Sequence, residues 1–112
     1  MSKSVYIPDK GDVIWVILDP RVGYEQSGRR PAIVLSPSLF SERTGLAVIC
    51  PITSKIKGQP FEIVIKSKNI DGAILPIHIR SIDINARKAQ FIEKAPIAIL
   101  EKTNKAVDSI IN

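Results

Sequence analysis

A chain of 112 residues, 45% of them hydrophobic and 24% charged, is large enough for one domain with a single buried core. That balance excludes a disordered tail, and no apolar run is long enough to cross a bilayer, so no membrane partner is expected. A formal net charge of +5 favours a polyanionic partner, either nucleic acid or an acidic protein, and the basic residues cluster at Arg29-Arg30, at Lys55 and Lys57, and at Arg87-Lys88.

The turn Asp9-Lys-Gly-Asp12 leads into Val13–Leu18, an apolar run of strand length that Asp19-Pro20 stops. Trp15 is expected to anchor the core beneath this strand. A polar loop follows to Arg30, and Pro31–Leu35 is a second, β-branched strand. Ser36 to Gly45 reads as a polar connection. Leu46–Pro51 is a third strand, running into Ile52-Thr53-Ser54, whose hydroxyls fall at a strand end where side chains can face a cleft. The lone Cys50 cannot close an internal disulfide, so it reads as a core thiol in a reducing compartment. The first ten residues carry no signal-peptide pattern, and the expected location is the cytoplasm.

Phe61–Ile65 is the next strand, and Asp71-Gly72 ends a polar turn region. Ala73–Ile79 reads as a strand interrupted by Pro76, with Pro76, His78 and Arg80 on one face and Leu75, Ile77 and Ile79 on the other. Ser81–Asp83 is expected to be a tight turn and Gln90–Ile92 a last short strand. Pro96 suits the first turn of a helix, whose stripe is Ile99, Leu100, Thr103, Val107, Ile110 and Ile111, with Lys102 and Lys105 opposite. Five or six short strands and one helix covering a barrel mouth or a partner surface give a mainly β fold in one domain, residues 1–112.

The chemistry concentrates on the stretch Gly23 to Pro37, where a glycine-bounded loop carrying Glu25 and Gln26 meets Arg29-Arg30 at the start of a strand. Two readings stay open on spacing: a solvated hairpin whose charges pair with one another, or a binding loop. CxxC, HExxH, GxGxxG and Walker motifs are all missing, and one histidine and one cysteine far apart do not make a nucleophile pair. What remains at strand ends is Glu25, Gln26, Arg29, Arg30, Thr53, Ser54, His78 and Arg80. That set suits binding, or cleavage without metal or cofactor, of a phosphodiester.

The segments Gly11-Asp-Val-Ile-Trp-Val, Asp19-Pro20, Gly23-x-Glu25-Gln26-x-Gly28-x-Arg30-Pro31-Ala-Ile-Val-Leu35 and Pro51-Ile-Thr53-Ser54 closely resemble the MazF/PemK toxin family. Pro60-Phe-Glu-Ile-Val, Asp71-Gly72 and Ser81-Ile-Asp83 through Ala86-Arg87 extend the resemblance over nearly the whole chain. It implies a twisted, SH3-like β-barrel with a C-terminal helix. It also implies a homodimer that cuts single-stranded mRNA at short sequences without metal, and an acidic antitoxin of the MazE kind that blocks the RNA groove.

The resemblance further implies Arg30 and Thr53 as catalytic residues. Cleavage by the ribose 2′-OH needs a base, a stabiliser of the charged phosphorane and an acid for the leaving oxygen. An arginine stays protonated, so Arg30 suits stabiliser or acid rather than base. Thr53 would hydrogen-bond the same phosphate. Glu25 is the candidate base, or else an ion-pair partner that holds Arg30 in place. Gln26, Arg29, Ser54, Lys55, Lys57, His78, Arg80 and Arg87 are the candidate RNA contacts.

The chain departs from the family pattern after Asp71-Gly72. Many members have an acidic residue followed by glutamine where Ile77-His78 stand, and some have an arginine where Leu75 stands. Chemistry that relies on that arginine and acid is therefore not expected; His78 reads either as a partly exposed edge-strand histidine with no role or as an RNA contact that would alter base preference. Two other functions fit the barrel: a gyrase poison like the CcdB relatives, or a catalytically weak binding module. The first depends on a Trp-Gly-Ile tail, whereas this chain ends Ser109-Ile-Ile-Asn112.

Overall fold

The computed structural model describes residues 5–18 and 28–112. Its elements are β1 (Asp12–Ile17), β2 (Arg29–Val34), α1 (Ser38–Thr44), β3 (Leu46–Thr53), β4 (Ile63–Lys66), β5 (Asp71–Ile74), a 3-10 turn (Pro76–His78), β6 (Arg80–Asp83), β7 (Gln90–Lys94) and α2 (Ile97–Ile111). The seven strands among the described residues pair antiparallel in the order β4-β5-β3-β2-β1-β7, with β6 joined to β3 beside that path. β3 organises the sheet. One of its edges is taken by β2; the other is shared by β6 along Leu46–Ile49 and by β5 at Ile52 and Thr53. The sheet is curled, because its two ends meet: the turn after β4 reaches β7 through hydrogen bonds from Ser67 Oγ and Asn69 Nδ2 (2.8 Å) to the Glu93 carboxylate.

Strand alternation builds a core on each face of β1, β2 and β3. Val13, Ile33, Cys50 and Ile52 point to one side, where Ile65, Ile70 and Ile74 complete a cluster against Ile99, Leu100 and Val107 of α2. Ile14, Val16, Ala32, Val34, Ala47 and Ile49 point to the other, closed by Ile82 and Ile84 with Tyr6 and Leu18 at its border. Both faces being covered explains why these strands read as continuous apolar runs. Burial pushes the Cys50 thiol up to about 12, so it stays protonated and inert in the first core.

Four elements differ from the sequence reading. The connection Ser36 to Gly45 contains α1, which starts after Pro37 and ends on Gly45, whose left-handed φ of 73° lets its N–H reach the Ser41 carbonyl at 2.8 Å. Seven residues give too short a period to register as a helix. Asp71-Gly72 is the start of β5, not a turn; the turn lies earlier, where Ser67 N donates to the Ile70 carbonyl at 2.7 Å. Ser81–Asp83 belongs to β6, and the turn follows it, with Arg87 N donating to the Asp83 carbonyl at 2.9 Å. Finally, Pro76 opens a 3-10 turn rather than a bulged strand, so the expected alternation fails: Pro76 is buried while Ile77 and His78 are both exposed.

Smaller corrections concern individual residues. Trp15 is only half-buried and stands outside both clusters. In α2, Pro96 caps the helix from outside, and the apolar stripe is covered as far as Val107, whereas Ile110 and Ile111 are exposed.

The N-terminal approach is tied down by a polar cluster. Asp12, 5% exposed, receives a hydrogen bond from the Tyr6 hydroxyl and an ion pair from Lys94 Nζ at 2.7 Å. A buried carboxylate persists because both partners replace its water. Burial, then the bond to Asp12 and its charge, push the Tyr6 phenol above its ordinary range. In the unfolded chain the phenol ionises near pH 10. Its contribution to stability is therefore complete below about pH 10 and is lost as the pH rises further. Tyr6→Phe is expected to lower stability by about 1–3 kcal/mol at neutral pH and to flatten the alkaline loss, both read from urea unfolding across pH 7–11.

Candidate active site

β2 and β3 are adjacent, and their register pairs Ala32 with Pro51. Two residues further along each strand, on the same face, stand Arg30 and Thr53. The sequence places them 23 positions apart; antiparallel pairing makes them cross-strand neighbours. β1 adds Val16 opposite Arg30, and Leu18 follows, its N–H bonded to the Gly28 carbonyl at 3.0 Å. On the far side of β3, Leu75 N donates to the Pro51 carbonyl at 2.9 Å. The result is an open cleft of about 330 Å³ lined by Leu18, Arg30, Pro51, Thr53, Lys55 and Leu75, together with Ile52 and Ser54.

Within it, the Thr53 hydroxyl accepts the Lys55 N–H at 3.1 Å, which orients the oxygen and leaves its proton free to be donated. An exposed guanidinium, an ammonium and a half-buried hydroxyl surround an apolar floor, a donor set that can accept an anion. The Arg30 guanidinium offers a planar fork of donors, and Thr53 a single directed one.

A second cleft opens on the other side of the same strand ends, lined by Trp15, Arg29, Pro31, Asn69, Ile70 and Asp71, and sharing Arg30, Ile52 and Ser54 with the first. Here Arg29 lies over the Trp15 ring, its guanidinium carbon 4.2 Å from the centroid. This contact is why Trp15 is not a core anchor. The diagonal from β1 to β2 that makes it follows from the Trp15–Pro31 register, which the linear sequence does not print.

The other candidates are dispersed. Glu25 and Gln26 lie outside the described residues. Lys57 is exposed on the β3–β4 connection. Arg87 is half-buried, and its guanidinium donates to the Ile17 carbonyl at 3.3 Å, stitching the β6–β7 turn to β1. Arg80 shares the Arg30 face, but it pairs with Ile49, four residues along β3 from Thr53, or about 13 Å at strand spacing. His78 sits on the 3-10 turn, which packs against α2 and β3, and lines neither cleft. His78→Gln is accordingly expected to leave the cleavage rate within about twofold and the preferred RNA motif unchanged, as read by sequencing cleavage ends on a transcript pool. Sequence reasoning missed Asn69 and Asp71 at the second cleft; only the β4–β5 turn geometry brings them there.

The family model of the PemK-like, MazF-like toxin of type II toxin-antitoxin systems matches residues 9–111. The chain belongs to that family. The endoribonuclease toxin MazF of Escherichia coli K12 is 46% identical over 86 residues, covering 77% of this chain and 78% of the relative. MazF of Deinococcus radiodurans superposes with a TM-score of 0.86 at 39% identity, covering 96% of this chain and 98% of that one. The same toxin in a MazE-MazF crystal structure gives 0.85 at 35%, with the same coverage. The curled antiparallel sheet with its C-terminal helix is thus the PemK/MazF architecture, and the Arg30–Thr53 cleft opens at the rim of that sheet.

Proposed function

We propose that this PemK/MazF-family chain is an endoribonuclease toxin that cleaves single-stranded mRNA at short sequences without a metal, acts in the cytoplasm as a homodimer, and is held inactive by an acidic antitoxin of the MazE kind. Residues 1–112 act as one toxin domain. The observation that carries the reading is the placement of Arg30 and Thr53 as neighbours across β2 and β3 in one open, cationic cleft. Its family relatives are named endoribonucleases, and a structural relative is seen in complex with MazE.

In this reading the ribose 2′-oxygen attacks the adjacent phosphorus, and the P–O bond to the 5′-oxygen breaks. The products are a 2′,3′-cyclic phosphate and a 5′-hydroxyl. Arg30 spans two non-bridging oxygens as negative charge grows on them, and Thr53 donates to one of the two. Glu25 takes the 2′ proton, and water supplies one to the leaving oxygen. Lys55, Ser54 and Arg29 hold the flanking phosphates, which the net charge of +5 favours at low salt.

The test incubates purified protein with a long transcript in EDTA and maps the new 5′ ends. Discrete cuts bearing 5′-hydroxyls are expected. Intact RNA, or gyrase inhibition without cutting, would overturn the assignment.

A further inference from the structure

Among the described residues, only Phe61 and Lys88 combine a side chain with a left-handed backbone, Phe61 at φ 70°. A Cβ makes that conformation costly, and such strain persists only where the surroundings impose it. Here the imposing contacts are visible. The Glu62 carboxylate accepts the N–H groups of Gly58 (3.0 Å) and Lys57 (3.3 Å), and Glu62 N donates back to the Gln59 carbonyl at 3.2 Å. Pro60, with its fixed φ, precedes the strained residue.

The strain does not bury the ring. Phe61 is 48% exposed, and burial alone therefore gives no reason for holding an aromatic residue at this position. The loop that carries it leaves β3 directly after Thr53, lines the Arg30–Thr53 cleft with Ser54 and Lys55, and crosses β5 to enter β4. It therefore carries two exposed ammonium groups, Lys55 and Lys57, and, at its far end across β5 from the cleft, the exposed Phe61 ring. Cations that follow a backbone together with a ring that offers its face are the ingredients of single-strand recognition.

We infer that Phe61 is a stacking platform for an unpaired base of the RNA substrate, one or more nucleotides from the phosphate held by Arg30 and Thr53. This rests on the endoribonuclease reading. The backbone at φ 70° differs from that of an ordinary strand residue, and the Glu62 bridge holds the loop without the RNA having to order it.

The test uses Phe61→Gly, Phe61→Ala, Phe61→Leu and Phe61→Trp, with single-turnover and steady-state cleavage of a short oligoribonucleotide and thermal melting of each variant. Glycine relieves the left-handed backbone and alanine does not, so Phe61→Gly should melt above Phe61→Ala, the reverse of the usual order. Both should raise KM by the same factor, on the order of tenfold, because each removes the ring. Phe61→Leu should lose nearly as much as alanine, and Phe61→Trp should restore KM. Indole fluorescence of Phe61→Trp, above the wild-type Trp15 background, should be quenched by an oligoribonucleotide carrying 2′-deoxyribose at the scissile position.

KM values that follow the melting temperatures rather than the ring, or Phe61→Leu equal to wild type, would overturn the inference. If the wild type cuts no RNA, the endoribonuclease reading fails by itself. The quench then decides the matter: its presence supports a stacking site and its absence removes it.

Discussion

Arg30→Ala is expected to lower the RNA cleavage rate about 10²- to 10³-fold, the effect of deleting one preorganised donor from a charge-stabilising site. Toxicity on expression should disappear with it. The fold should not suffer, because the Arg30 side chain is exposed and the residue's structural work, pairing with Val16 of β1, is done by its backbone. Surface truncations of that kind stay within about 0.5 kcal/mol.

Arg30→Lys separates charge from geometry. An ammonium retains the positive charge but cannot span two oxygens, so it should recover binding more than rate. Melting curves, KM and single-turnover rates on all three proteins provide the check. A folded Arg30→Ala protein that cuts within tenfold of wild type would move the catalytic role elsewhere, with Lys55 the other cation lining the same cleft.

The strands were legible because the residues that form them are apolar for a local reason. β1, β2 and β3 carry core side chains on both faces, so each announced itself as a run. The turns near Asp71-Gly72 and Ser81–Asp83 were misplaced for the converse reason. Polar residues and a glycine looked like punctuation, although there the glycine serves a close approach and the polar residues lie on the exposed strand β6. For the site, the residues at β2 and β3 were nameable from the family's motif, but their adjacency depends on register, which is long-range. Trp15 shows the limit. A tryptophan in an apolar run looks like core, and only the diagonal across the β1–β2 pair puts Arg29 on its ring.

Gly72 links that register to the chemistry, and Gly72→Ala is expected to damage stability and activity together. A Cβ built there stands 2.2 Å from the Thr53 carbonyl oxygen, 3.1 Å from its carbonyl carbon and 3.3 Å from Ile52 Cγ2. Carbon and oxygen that are not bonded settle at about 3.3–3.6 Å, so something must move by roughly 1 Å. The obstacle is backbone, not the free end of a side chain. β5 cannot retreat without loosening its pairs Ile74–Ile52 and Ala73–Thr53, nor β3 without shifting the end that carries Thr53.

Overpacking of this kind costs about 1–3 kcal/mol, and a displacement near 1 Å at a reacting centre costs about 10²-fold in rate. Thr53→Ala supplies the comparison: it should lose rate with little loss of stability, whereas Gly72→Ala loses both. Urea unfolding and single-turnover cleavage of the two variants distinguish them. A Gly72→Ala protein with wild-type midpoint and wild-type rate would mean that β5 lies further from Thr53 than this packing allows.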